Sequence, residues 1–169
     1  MVSTISLKRR HLTLGYVWRS PARLLAFGFG IGLCRWGPGT LASLLTVPLY
    51  RWLSPHWSSQ VLLVVLAAAL LAGAWACGQA GRDIGVADHS GMVWDEVVAM
   101  GLILVFIPGD WMSQIMGFAL FRLFDIWKPG PVRYVDQHMK GGLGVMLDDL
   151  VAALLVLLCF TAWKLLGAV

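Results

Sequence analysis

Charge is scarce in this chain: 13% of its 169 residues are Asp, Glu, Lys or Arg, and 59% are hydrophobic. A soluble domain carries about 25% charged residues. This shortage and the mean hydropathy of +0.76 argue against an ordinary water-soluble domain and indicate a membrane protein. Nine tryptophans agree with this, because indole rings favour the interface between lipid and water. The length allows one compact domain and excludes two sizeable ones.

Cysteines and early acidic residues are also few. The three cysteines, Cys34, Cys77 and Cys159, predict neither a disulfide framework nor a cysteine-based metal site. No acid precedes Asp83, so residues 1–23 form a basic segment that we expect to lie against anionic lipid on the cytoplasmic side. Its basic residues are Lys8, Arg9, Arg10, Arg19 and Arg23. An aromatic-basic RNA motif and a zinc finger are absent, so no nucleic-acid partner is expected, and the polar start shows no signal-peptide pattern.

The distribution of apolar residues predicts an all-α fold. Apolar stretches rich in Leu, Ala and Met cover 24–33, 41–50, 61–76, 97–107, 115–121 and 150–163, without alternation of apolar and polar residues. Most are shorter than the roughly 20 residues that a membrane-spanning helix needs. We therefore expect one domain over residues 24–169, a small helical membrane bundle of about four to six helices, some of them short or re-entrant. Pro108-Gly109-Asp110 predicts the turn of a hairpin between 97 and 121.

A glycine-rich stretch from Gly30 to Ser43 leads into the second apolar run. Its glycines permit close backbone approach, and Thr40 stands where a helix would take its N-cap. Unpaired N–H groups at such a helix end bind phosphate, so Gly39, Thr40 and Ser43 are candidates for substrate contact. Ordinary capping explains the same residues, and both interpretations remain open. No Gly-Lys-Ser/Thr follows, so the stretch is not a Walker motif.

Two acidic pairs border apolar runs, where each charge costs several kcal/mol unless it is paired or bound. Asp95-Glu96 follows Trp94, and Asp148-Asp149 is expected to open the last apolar helix after a glycine-rich loop. Oxygen ligands without His or Cys select Mg²⁺ or Mn²⁺, so Asp95, Glu96, Asp148 and Asp149 are candidate metal ligands. Favourable placement at a helix N-terminus is the alternative for both pairs.

The two acids of the first pair point about 100° apart on a helix, so we expect that they do not chelate one ion symmetrically. One of Asp95 and Glu96 would bind the ion, while the other holds a water or a basic partner. The preceding His89 is expected to be a loop residue and not a ligand.

A third constellation consists of Arg122, Asp125 and Lys128, which are spaced three apart and therefore share one helical face. Ordinary surface ion pairs, worth at most about 1 kcal/mol, are the alternative, but the surrounding residues are apolar. Because Pro129 ends the helix, Lys128 is placed to contact a phosphate oxygen. Arg133 is expected to assist from the following loop, and Asp125 to join the acids around one cation.

Several phosphatase chemistries are absent from the sequence. No cysteine has an arginine six positions later, no two aspartates form Asp-x-Asp, and the Pro-Ser-Gly-His element of histidine-based lipid phosphatases is missing. Among phosphatase mechanisms, metal-assisted attack by water remains.

Taken together, four blocks resemble the phosphatidylglycerophosphatase A family. They are the loop from Gly32 to Ser43, Val93-Trp94-Asp95-Glu96, the segment from Phe121 to Pro131, and the segment from Gly141 to Asp149. They keep the family's order over about residues 30–153. The departures from the family pattern leave every charged position intact; they are Arg35, Gly37, Ala42, Ala99 and Ala153.

The resemblance implies Mg²⁺-dependent hydrolysis of phosphatidylglycerophosphate to phosphatidylglycerol and inorganic phosphate. It places the enzyme in a bacterial inner membrane with its site facing the cytoplasm. The expected catalytic residues are Asp95, Glu96, Asp125, Lys128 and Asp149, and the expected substrate-binding residues are Gly39, Thr40, Ser43, Arg122, Lys128 and Arg133. A phosphatidic acid phosphatase of relaxed specificity, a divalent-cation transporter and a purely structural membrane subunit are the alternatives.

Overall fold

The computed structural model describes residues 12–167, and this part of the chain contains helices and no strand. The predicted all-α class is confirmed. The described α-helices are α1 (Leu14–Val17), α2 (Pro21–Ala26), α3 (Pro38–Leu53), α4 (Ser59–Ile84), α5 (Trp94–Phe106), α6 (Trp111–Trp127), α7 (Gly130–His138) and α8 (Gly141–Leu166), and a 3₁₀ segment covers Gly28–Leu33.

Helices α4 and α8 pack against each other at the centre of the bundle. Each has 26 residues, or about 39 Å at 1.5 Å per residue, and is long and apolar enough to cross a membrane. Their backbones approach closely because a glycine stands at the crossing: a Cβ on Gly142 would overlap the carbonyl oxygen of Ala74. Helices α5, α6 and α7 also pack against α8, so α8 contacts four other helices of the bundle.

Helices α5 and α6 form the predicted hairpin, which turns at Pro108-Gly109-Asp110. Asp110 caps α6, because its Oδ2 accepts a hydrogen bond from the Ser113 N–H at 2.8 Å. Arg51 of α3 donates to the Gly109 carbonyl oxygen at 3.0 Å and fixes the turn from the side. The arms have 13 and 17 residues, or about 20 and 26 Å, so α6 is longer than its apolar run alone predicts.

Two clusters of buried apolar side chains support the bundle. The first includes Phe27 and Met146 and joins α2, α4, α5 and α8. The second includes Ile103 and Phe121 and joins α3, α5, α6, α7 and α8. Full burial of such a side chain stabilises the fold by about 1.5–3 kcal/mol. The clusters hold the first turn of α5 beside the first turns of α8.

The eight α-helices of residues 12–167 exceed the predicted four to six, because α1 and α7 are short and have no long apolar run. Helix α7 is polar and carries Pro131 in its first turn, where proline is tolerated. Arg133 therefore lies on a helix, and the expectation that it lies in a loop is wrong. Helix α2 runs across the predicted boundary between residues 23 and 24, while the predicted lipid contacts of Lys8, Arg9 and Arg10 lie outside the described residues.

Candidate active site

The first acidic pair lies in the first turn of α5. The loop before it is fixed by a hydrogen bond from the Val93 N–H to the Ala26 carbonyl oxygen at 2.9 Å. Trp94 anchors the helix start, because its indole Nε1 donates to the Ala69 carbonyl oxygen at 2.9 Å. The loop and the indole together hold Asp95 in a buried position.

The second acidic pair lies inside α8 and not at its start. The helix begins at Gly141, so Asp148 and Asp149 are about two turns from its N-terminus. The expectation that these acids open the helix is therefore wrong, and stabilisation by the N-terminal helix dipole does not explain them, because that effect fades within the first turn. Both side chains are nevertheless buried.

The two pairs meet in one carboxylate cluster. One oxygen each from Asp95, Glu96 and Asp149 lies within 4.8 Å of the others. Both members of the first pair therefore reach the same point, although their backbone directions diverge. The buried oxygens Asp95 Oδ1, Glu96 Oε2 and Asp149 Oδ2 have no hydrogen-bond partner among the described residues.

Unpartnered buried carboxylate oxygens are costly, and a cation among them would remove that cost. Oxygen donors suit a hard ion such as Mg²⁺ or Mn²⁺. The carboxylate cluster therefore fits the predicted metal. Asp148, the fourth predicted ligand, is not one of these three acids. Its Oδ2 accepts a hydrogen bond from Lys128 Nζ at 2.8 Å.

Helix α6 brings Arg122 beside these acids. Its Nη1 lies 2.9 Å from Asp125 Oδ2 and 3.8 Å from Glu96 Oε1, and all three side chains are mostly buried. The predicted adjacency of Arg122 and Asp125 on one helical face is present. The guanidinium has further donors for a ligand oxygen, because a planar guanidinium carries five N–H groups.

Lys128 ends α6 in a left-handed backbone conformation, with φ 47° and ψ 66°. A non-glycine residue rarely adopts this conformation, and such strain concentrates at functional sites. The turn directs Nζ to Asp136 Oδ1 at 2.6 Å and to Asp148 Oδ2 at 2.8 Å. Burial alone would lower the pKa of Lys128, but these two carboxylates outweigh burial and raise that pKa above its ordinary value.

The start of α3 forms another wall of the site. The helix begins with Pro38 after a left-handed Gly37, so the expectation that Thr40 is the N-cap is wrong. Gly39 lies directly against the carboxylate of Glu96, and a Cβ there would overlap its Oε1. Ser43 is buried and donates its hydroxyl to the Gly39 carbonyl oxygen at 2.8 Å.

A cavity of about 250 Å³ connects these groups. It is lined by Gly37, Pro38, Gly39, Asp88, His89, Ser90, Met92, Asp95, Glu96, Arg122, Asp125, Lys128, Asp148 and Asp149. Its carboxylates outnumber its two basic side chains, so a divalent cation would reduce the repulsion among them. Thr40 and Arg133 are exposed and do not line this cavity.

A family model described as Phosphatidylglycerophosphatase A matches residues 24–164. The chain belongs to this family. The Phosphatidylglycerophosphatase A of Escherichia coli (strain K12) is 40% identical over 138 residues, which cover 80% of this chain and 79% of that protein. The Phosphatidylglycerophosphatase A of Haemophilus influenzae is 39% identical over 150 residues, with coverages of 86% and 92%.

A third relative, from Bacteroides thetaiotaomicron, has the name "Putative phosphatidylinositol-3-phosphatase". It is 36% identical over 153 residues, which cover 83% of this chain and 92% of that protein. No solved structure matches the chain. The four sequence blocks that resemble the phosphatidylglycerophosphatase A family all contribute residues to the cavity or to its immediate supports.

Four polar residues near the site are absent from the predicted set of site residues. Asp88, His89 and Ser90 line the cavity from the loop before α5, and Asp136 contacts Lys128 from α7. His89 is a loop residue as expected, and its Nδ1 accepts a hydrogen bond from the Gly91 N–H at 3.0 Å. Burial lowers its pKa against the opposing effect of Asp88. The scarcity of acids is the one sequence feature that points to two of these residues, because Asp88 and Asp136 are two of only nine acidic residues in the chain.

Proposed function

We propose that this protein hydrolyses phosphatidylglycerophosphate to phosphatidylglycerol and inorganic phosphate, with Mg²⁺ as its cofactor. The observation that carries the proposal is a cluster of three carboxylates, each with one buried oxygen that has no hydrogen-bond partner among the described residues, in a cavity that also contains an arginine and a lysine. A phosphate monoester brings about two negative charges at neutral pH, and these groups provide the means to neutralise them.

Asp95, Glu96 and Asp149 would hold the cation, and Mn²⁺ would suit the same oxygens. Asp148 remains a predicted metal ligand through Oδ1, because its Oδ2 accepts the hydrogen bond from Lys128. A bound divalent cation would neutralise charge on the phosphate oxygens and lower the pKa of an attacking water.

The protein groups divide the remaining work. Arg122 and Lys128 would orient the terminal phosphate by donating hydrogen bonds to its oxygens. A carboxylate among Asp95, Glu96 and Asp149 would accept the proton of the water whose oxygen attacks phosphorus. The bond between phosphorus and the glycerol oxygen then breaks, and that oxygen leaves as the alcohol of phosphatidylglycerol by taking up the proton that the carboxylate accepted.

We further propose that α4 and α8 cross the bacterial inner membrane in a multi-pass arrangement, with the cavity on the cytoplasmic side. Outward-facing residues of both helices support this, since Val64 and Leu71 of α4 and Leu158 of α8 are each more than 60% exposed. The acyl chains of the substrate would lie along such surfaces while its head group enters the cavity.

Two other functions compete with this proposal. A phosphatidic acid phosphatase would use the same carboxylates and cations and differ only in head-group contacts. The name of the Bacteroides relative also points to variation of the head group within related proteins. A cation transporter would need acidic residues along a path through the bundle, whereas the described carboxylate cluster is gathered in one cavity beside an arginine and a lysine.

Phosphate release by the purified, detergent-solubilised protein tests the proposal. Phosphatidylglycerophosphate, phosphatidic acid and a phosphatidylinositol phosphate are compared with and without Mg²⁺ or Mn²⁺, for the wild type and for Asp149→Asn. The matched control is Asp83→Asn, which removes a carboxylate charge on α4 that does not line the cavity.

We expect metal-dependent release from phosphatidylglycerophosphate that Asp149→Asn abolishes and Asp83→Asn retains. Faster phosphate release from one of the other lipids would show that this lipid is the preferred substrate, while the proposed site would stand. No release from any lipid with either metal would reject the phosphatase and favour the transporter or a structural role.

A further inference from the structure

Asp136 contacts the site only through another side chain. It lies on α7, and its Oδ1 is 2.6 Å from Lys128 Nζ. No residue of α7 lines the main cavity, whereas Asp136 lines a smaller neighbouring cavity of about 60 Å³. Among the described side-chain hydrogen bonds, the one between Asp136 and Lys128 connects α7 to a residue that lines the main cavity.

Helix α7 is held firmly enough to position this carboxylate. Val132 is fully buried in the second apolar cluster. At the other end, Lys140 Nζ donates to the Asp136 carbonyl oxygen at 2.9 Å, and Tyr134 stacks on His138 with ring centroids 4.2 Å apart. The Asp136 carboxylate thus extends from a helix that Val132 attaches to the bundle and that local contacts stabilise near its C-terminal end.

The two carboxylates that face Lys128 define the orientation of its ammonium group. A lysine ammonium has three N–H donors, and Asp136 and Asp148 each accept one of them. Two fixed acceptors prevent rotation about the terminal C–N bond, so the direction of the third N–H is also set. Lys128 lines the main cavity, and this third donor is available to an oxygen of a bound ligand.

We propose that Asp136 is a positioning residue, which holds the Lys128 ammonium so that its remaining N–H meets an oxygen of the substrate phosphate. The inference rests on the proposed phosphatase function and adds a residue of α7 to that site. Without Asp136, the four-carbon side chain of Lys128 recovers rotational freedom and loses one of two charge-assisted hydrogen bonds. A purely structural role, in which the pair only attaches α7 to the bundle, is the competing explanation.

The test measures binding of inorganic phosphate, the simplest ligand with the relevant oxygens, in the presence of Mg²⁺. Asp136→Ala, which removes the acceptor, is made in the wild type and in a Lys128→Met background, and kcat and KM with lipid substrate are measured on the same proteins. Gln137→Ala, an exposed neighbour on α7, is the control for disturbance of the helix. Thermal unfolding of every variant reports whether it is folded.

In the wild-type background we expect Asp136→Ala to weaken phosphate binding by about 10-fold or more, comparable with the loss when the hydrogen-bond partner of a metal ligand is removed. In the Lys128→Met background the same substitution should have no further effect. Asp136→Glu should recover part of the binding, because it restores the charge, and Gln137→Ala should bind as the wild type does.

Unchanged phosphate binding in a folded Asp136→Ala variant would overturn the positioning role. So would an equal loss in the Lys128→Met background, because the effect would then not act through Lys128. If Asp136→Ala does not fold, a folded Asp136→Glu decides: phosphate binding weaker than that of the wild type, with no further loss in the Lys128→Met background, supports the role, and wild-type binding rejects it. Lys128-dependent phosphate binding without lipid hydrolysis by the wild type would reject the proposed function and leave the Asp136 contact standing.

Discussion

Substitution of Gly39 by alanine should separate activity from stability in this protein. Gly39 lies in the first turn of α3, and an added Cβ would overlap Glu96 Oε1 and lie 2.7 Å from Glu96 Cδ. Ordinary contact begins at 3.4 Å, so Cδ must withdraw by about 0.7 Å and the carboxylate oxygen by more. Glu96 supplies one of the three oxygens of the carboxylate cluster, so that cluster opens.

The expected stability change is small, because two effects oppose each other. Alanine is favoured over glycine in a helix by about 0.5–1 kcal/mol, while displacement of Glu96 costs a similar amount. The free energy of unfolding should therefore change by about 1 kcal/mol or less. The activity should fall by about 100-fold, since a displacement near 1 Å at a reacting centre has that effect.

The assay is phosphate release at several Mg²⁺ concentrations, with thermal unfolding of the same preparation. Gly109→Ala is the matched control, because a Cβ there meets no atom within 4 Å and the residue lies at the other end of α5. We expect a higher Mg²⁺ requirement and a lower kcat/KM for Gly39→Ala alone. Wild-type kcat/KM and Mg²⁺ dependence in Gly39→Ala would refute the conclusion that this contact positions Glu96.

Three further predictions concern stability. Gly142→Ala should lower the free energy of unfolding by about 1–3 kcal/mol because its Cβ overlaps α4, whereas Gly78→Ala, with no contact closer than 3.6 Å, should raise it by about 0.5–1 kcal/mol in denaturant titrations. Hydrogen bonds from Ser113 lower the pKa of Asp110. The cap that Asp110 provides to α6 therefore stabilises the fold fully above about pH 4, and this stabilisation is lost as the pH falls through the lowered pKa. Asp110→Ala should melt at a lower temperature than the wild type at neutral pH, and the two melting temperatures should converge in acid. When Mg²⁺ is present at 100 times its Kd, its removal by a chelator should lower the free energy of unfolding of the wild type by about 2.7 kcal/mol. The same treatment should leave Asp149→Asn nearly unchanged, and thermal unfolding with and without chelator measures both effects.

The fold could be predicted from sequence where helices carry apolar runs. Leu- and Ala-rich segments without alternation correspond to α3, α4, α5, α6 and α8. Helix α7 could not be predicted in this way, because Val132 is its only buried residue and its stability comes from tertiary packing. The run from 24 to 33 contains a break at Phe29, which has a φ of 57° that its apolar side chain does not reveal.

The sequence predicts too late a start for α8, which begins at Gly141, and the reason is specific. Gly141, Gly142 and Gly144 together resemble a flexible loop, but two of them are required by close packing of α8 against α4 and against the segment that precedes α8. A Cβ on Gly142 would meet α4, and a Cβ on Gly144 would overlap the Met139 carbonyl oxygen. Glycine content alone does not distinguish a loop from a tightly packed helix, so the sequence places the acidic pair at a helix end.

The sequence indicates which charged residues belong to the site, but it does not indicate which of them pair with one another. Scarce charges beside apolar runs indicate Asp95, Glu96, Arg122, Lys128 and Asp149, and the structure brings all of them to one cavity. The pairing of Lys128 with a carboxylate of α7 depends on a left-handed turn and on long-range packing. Local spacing contains no information about either.

The position of the acidic pair along α8 has a consequence for depth in a bilayer. The helix continues for 17 residues from Leu150 to Leu166, or about 26 Å, against a hydrocarbon thickness of about 30 Å. If α8 crosses the membrane, Asp148 and Asp149 lie close to the level of the lipid head groups. A phospholipid could then diffuse sideways to the cavity and present its terminal phosphate without leaving its leaflet.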